Sequence, residues 1–115
     1  MRAVLSWVLC FWIAAAQADT AKIVGIGAST CARFNQEIVE RPDAEQDYFV
    51  WAQGFMSGAL IRAPEGVDTG LDLAPPSMPL NVQADFIRTF CAKNNDQGYM
   101  DAVRALYHRL RGPSL

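Results

Sequence analysis

Apolar and polar positions fall into four helical patterns separated by turn residues. The most apolar stretch is 48–61. Tyr48, Trp51, Ala52, Phe55, Gly58, Ala59 and Arg62 share one side at helical spacing, and all but the last are apolar or small. Val50, Leu60 and Ile61 lie off that stripe, so a helix here is apolar over most of its circumference and is expected to touch neighbours on several sides. Gly54 and Gly58 are one turn apart. Each costs about 1 kcal/mol of helix propensity relative to alanine. The pair predicts a close crossing by another helix.

The other patterns flank this one. A helix is expected over 30–40, capped by Ser29 or Thr30, with Cys31, Phe34 and Ile38 on its inner face and Arg33, Asn35, Glu37 and Glu40 toward water. Pro42 ends it and opens the central helix, whose start carries Asp43, Glu45 and Asp47. A third helix begins at Leu80 and Asn81, with Asn81 as cap and Val82, Phe86, Ile87, Phe90 and Cys91 buried. A fourth, over 97–110, takes Asp96 as cap and buries Tyr99, Ala102, Val103, Leu106 and Leu110; Gly112 and Pro113 end it. The fold class is therefore all-α: a small four-helix orthogonal bundle.

Two segments break the pattern. Ile23 to Gly27 carries two glycines and reads as an irregular arm. Its Gly25-x-Gly27 has neither the third glycine nor the basic residue of a phosphate-binding loop. The connection over 63–79 holds Pro64, Pro75, Pro76, Pro79, Gly66 and Gly70, and Leu71, Leu73 and Met78 can lay it over the core. Asp68 and Asp72 are too few and too scattered for a calcium loop.

The N-terminus supplies an address. Arg2, an apolar run to Ala16 and the Ala16-Gln17-Ala18 pattern make residues 1–18 a secretory signal peptide, leaving 19–115 as one domain with no stable membrane anchor. Removing Arg2 leaves nine Lys and Arg against twelve Asp and Glu, which argues against nucleic acid as a partner. Cys10 leaves with the leader. The remaining pair, Cys31 and Cys91, reads as one disulfide in an oxidising compartment. It would close a loop of about 60 residues, worth about 4 kcal/mol by chain entropy.

Candidate chemistry is sparse. His108 lies in the last helix beside Tyr107 and Arg109 with no nucleophile or carboxylate in a recognisable arrangement, and Ser29, Ser57 and Ser77 lack a nucleophile-elbow context. With one histidine and two oxidised cysteines, no metal site and no cofactor are expected, and the inventory points away from an enzyme. Asp43, Glu45 and Asp47 serve either as ordinary helix-terminal charges or as an acid-sensitive cluster that alters the central helix when protonated. Tyr48, Trp51, Phe55 and Met56 form a core face or, where three small helices fail to cover it, a surface for a second subunit or a partner protein.

Several short segments also carry a family likeness: Ser29-Thr30-Cys31-Ala32-Arg33-Phe34, Gly54-Phe55-Met56-Ser57-Gly58-Ala59-Leu60, Phe86-Ile87-Arg88-Thr89-Phe90-Cys91 and Tyr99-Met100-Asp101-Ala102-Val103. In this order the chain resembles the HdeA-type small periplasmic proteins of Gram-negative bacteria, whose known members are acid-stress chaperones. The resemblance implies an all-helical fold, a single disulfide between Cys31 and Cys91, and an apolar dimer-forming surface around Phe55 that acid exposes to unfolded clients. A second resemblance, to the Tai-type immunity proteins, implies instead an inhibitor of one dedicated partner.

Overall fold

The structure, a computed structural model of the chain, describes residues 22–112. The leader expected over 1–18 and Cys10 lie outside the described residues. Four helices follow a short 3-10 turn, Ile26–Ala28: α1 (Cys31–Glu40), α2 (Ala44–Arg62), α3 (Leu80–Lys93) and α4 (Tyr99–Leu110). The described residues contain no strand, only an isolated antiparallel bridge between Thr30 and Gly98. The fold is an all-α, four-helix bundle stapled by the Cys31–Cys91 disulfide, whose Cα atoms are 4.8 Å apart.

The start of α1 shows how the ends are secured. Its first backbone N–H groups have no partner within the helix. Thr30 Oγ1 accepts from Arg33 N at 3.1 Å, a cap of the type worth about 1 kcal/mol. Cys31 N donates to Gln97 O at 2.8 Å and Ala32 N to Asn95 O at 3.2 Å, while Tyr99 N returns a bond to Ser29 O at 2.9 Å. The turn between α3 and α4 thus caps α1. Asn35 adds to the junction by donating to Cys91 O at 2.9 Å and Asn95 Oδ1 at 2.8 Å. Asn35 and Glu37 therefore face neighbouring elements rather than water alone, unlike Arg33 and Glu40.

An aromatic cluster fills the core. The rings of Phe34, Tyr48 and Tyr99 meet pairwise, with centroids 4.8 to 5.1 Å apart. Burial pushes the Tyr99 hydroxyl well above its ordinary pKa, so it stays a donor, to Tyr48 O at 2.8 Å. The predicted inner face of α4 is buried at every position.

The central helix departs from its expected face. Its buried residues are Ala44, Tyr48, Phe49, Ala52 and Met56, while Trp51 and Phe55 sit half-buried at the edge of the core. A helix apolar over most of its circumference offers more than one candidate inner face, and Phe49 takes a place the sequence did not assign it. Gly54 and Gly58 are exposed, and a β-carbon added at either meets nothing within 4 Å, so among the described residues no helix crosses there. α2 ends where expected: Ala63, before Pro64, is extended (φ −58°, ψ 141°).

Helix α3 buries Ile87 and Cys91 as expected, but its inner face is centred on Gln83 rather than on Val82, Phe86 and Phe90. Gln83, Ile87 and Cys91 are buried, whereas Phe86 and Phe90 are half-buried and Val82 is exposed. Two caps also differ. Pro79 rather than Asn81 precedes the first turn of α3. Gly98 rather than Asp96 caps α4, with Asp101 Oδ2 accepting from Gly98 N at 2.9 Å, so that helix starts at Tyr99 rather than 97.

Candidate protein-binding surfaces

The outer side of α2 is an open apolar stripe. Val50, Gly54, Ser57, Gly58 and Ile61 recur at helical spacing, and every one is exposed. Val50 keeps 54% of its surface in water and Ile61 82%. α2 thus has one side committed to the core and the opposite side uncovered. Of the expected binding face, Tyr48 and Met56 belong to the core. Trp51 and Phe55 stack on one another, with centroids 5.3 Å apart, at its edge. Ile26 packs against the core and Gly27 is buried beneath the Trp51 indole, so the arm expected to be irregular is docked on α2.

A second apolar surface lies between α3, α4 and the connection. Met78, Val82, Phe86 and Phe90 line an open groove of about 510 Å³. It exists because α3 turns Gln83, Ile87 and Cys91 inward, leaving the neighbouring row of 82, 86 and 90 to line it.

The 63–79 connection is held at two points. Asp68 adopts a left-handed backbone conformation (φ 58°), which aspartate tolerates better than most residues. Its carboxylate accepts from Tyr107 Oη at 2.7 Å and Arg111 Nε at 2.6 Å, tying the connection to α4. The Tyr107 hydroxyl and then Arg111 hold that carboxyl below its usual range against the opposing effect of desolvation. The second point is Gln83, whose Nε2 donates to Leu73 O at 2.8 Å and Met78 O at 2.9 Å. Leu73 and Met78 pack against the core beneath this clamp.

Glu45 pairs with Arg88 at 2.6 Å across to α3, and Asp43 and Asp47 are exposed. The carboxylate facing α2 is Glu37. It accepts from Arg33 Nε at 2.6 Å and from Tyr48 Oη at 3.0 Å, bonds that hold its pKa below the ordinary value. Glu37 and Asp68 are thus two carboxylates, outside the start of α2, that side-chain hydrogen bonds hold below the ordinary carboxylate range. Among the described residues no three His, Cys, Asp or Glu side chains gather in a metal-binding group, and no helix is long and apolar enough to cross a membrane. His108 is exposed.

Comparison with protein-family models, curated proteins and solved structures returns no match for this chain.

Proposed function

We propose that this chain is a non-enzymatic protein-binding protein of the bacterial periplasm, protective toward unfolding proteins under acid stress in the manner of the HdeA-type chaperones. The observation that carries the reading is the uncovered side of α2, where Val50 and Ile61 flank two exposed glycines. Exposed apolar surface of this kind, when contiguous, marks association with another chain. The predicted leader and the disulfide support the compartment.

The two clamped carboxylates support the acid response. Both Glu37 and Asp68 have folded-state pKa values below their ordinary ones. Their stabilisation is fully present above the unfolded value of about 4 and is lost as pH falls through the folded value. Protonating Asp68 weakens the hold of α4 on the connection, and Leu73 and Met78 beneath it become accessible to a client.

Light scattering of an aggregating client protein, with and without the oxidised mature chain, tests this at neutral pH and at pH about 3, where most carboxylates are protonated. Suppression in acid alone is the expected result; none at either pH removes the chaperone reading. A second reading, an inhibitor of one dedicated partner as in the immunity-type proteins, is favoured by the groove along α3, a more shaped surface than a general client requires. It predicts a one-to-one complex at neutral pH.

A further inference from the structure

We infer that the groove between α3, α4 and the 63–79 connection seats an amphipathic helix of a partner protein, one whose apolar stripe carries an acidic residue at each end. This rests on the protein-binding reading above and names the chemistry of the partner.

The apolar lining of the groove is Met78, Val82, Phe86 and Phe90. Methionine and aromatic residues are enriched where one protein meets another. Val82 leaves 40% of its surface in water, so an occupant removes apolar area that the bundle leaves wet. From Val82 to Lys93 the trough follows about three turns of α3, or about 16 Å at the helical rise. An open trough of this length fits a helix laid along it, a recurring mode of peptide recognition.

The rim chooses the partner's charge. Asp85, Lys93 and Arg109 are its ionisable residues. The Asp85 carboxylate is engaged by Arg88 on the same helix. Among the described residues no ion pair involves Lys93 or Arg109, which leaves two cations available at the groove. They mark opposite ends. Lys93 closes α3, whereas Arg109 also sits beside Pro75, Ser77 and Met78 at the Val82 end. A small amphiphile with one anionic head satisfies one of these cations. A helical segment with an acidic residue at each end of its apolar stripe satisfies both. The chain as a whole has a formal charge of −2, so this rim is a local cationic region that favours an acidic segment and disfavours a basic one.

Fluorescence anisotropy with two labelled peptides of about 18 residues tests the inference. Both carry the same Leu and Phe stripe at i, i+3, i+4 and i+7; one has Glu at both ends, the other Lys. The oxidised mature protein is expected to bind the Glu peptide about tenfold tighter than the Lys peptide, and K93E/R109E is expected to reverse that order. Far-UV circular dichroism and thermal melting establish that the double variant remains folded; both positions are exposed. Equal binding of the two peptides, no binding of either, or an unchanged preference in the double variant overturns the inference. So does displacement of both peptides alike by laurate, which assigns the groove to a small amphiphile. Client light scattering separates the two claims. If the wild type and K93E/R109E suppress aggregation equally and the peptides bind alike, the groove inference fails and the chaperone reading stands. Charge-selective binding without suppression gives the converse.

Discussion

Gly27 lies so close to Trp51 that a single β-carbon has no room between its backbone and the indole ring. Its backbone is outside the left-handed region, so the demand for glycine here is steric. The neighbouring Gly25 (φ 89°) is held by conformation instead, its nearest Trp51 atom being 3.9 Å from a built β-carbon. Gly27→Ala should therefore displace the indole or the arm, at a cost of about 1–3 kcal/mol. Trp51 is the one tryptophan among residues 22–112. Urea melts should show the loss of stability, and tryptophan emission of the mature chain should shift to the red. An unshifted spectrum with unchanged stability would mean that the arm is not docked on α2.

Gly54 and Gly58 make the opposite prediction. Both are exposed, inside α2 and clear of any neighbour within 4 Å. Gly54→Ala and Gly58→Ala should each stabilise the isolated protein by roughly 0.5–1 kcal/mol through helix propensity alone. Thermal melting of the single and double variants checks this. Destabilisation would show that another chain packs on the stripe at the concentration of the experiment.

Gln83 is wholly buried yet polar, and its two donated bonds hold the connection down. Its Oε1 has no hydrogen-bond partner among the described residues. Gln83→Met keeps comparable bulk, removes that orphaned oxygen and removes both bonds to the connection. The loss of two bonds outweighs the gain, for a net cost of about 1–3 kcal/mol. Limited proteolysis should cut the variant faster within 63–79 than the wild type.

Glu37 and Asp68 should contribute to the pH dependence of stability. Their folded-state pKa values are lowered chiefly by side-chain hydrogen bonds from Arg33 and Tyr48 in one case, and from Tyr107 and Arg111 in the other. The stabilisation holds above about pH 4 and is lost in acid as each folded value is crossed. Glu37→Gln and Asp68→Asn should lower stability at neutral pH and flatten its fall below pH about 4. Asparagine tolerates the left-handed conformation at 68, so this variant isolates the charge from the backbone. Urea melts from pH 7 to pH 3 make the comparison.

The elements with one-sided patterns were legible in the sequence. α4 carries its apolar residues in one stripe, and all five predicted inner residues are buried. α1 buries Cys31 and Phe34, leaves the third expected residue, Ile38, half-buried against the core, and takes Thr30 as its cap. The two cysteines of the described residues form the expected bond. α2 is apolar over most of its circumference, so the stripe chosen for it was not the buried one, Phe49 went unassigned, and the close approach expected at the glycine pair is made instead by Gly27 against Trp51. In α3 the row 82, 86, 90 is more apolar than 83, 87, 91. The pattern assigned the first row together with Ile87 and Cys91 to the core and left out Gln83, which finds two carbonyl partners in the connection and can be buried. That bond, like the one between Asp68 and Tyr107, joins residues whose proximity only the tertiary fold creates. The polar residues that clamp the molecule were therefore not legible as such; Asp68 was weighed only as a calcium ligand and set aside.

Sedimentation velocity of a fluorescently labelled unfolded client, alone and with the oxidised mature chain, tests the central claim of protein binding most directly. The measurement is made at pH 7 and pH about 3, on either side of the ordinary carboxylate range. The account predicts that the client moves with the chain in acid, and that Val50→Glu with Ile61→Glu, on the open side of α2, weakens that complex. A client that sediments alone at both pH values would contradict it.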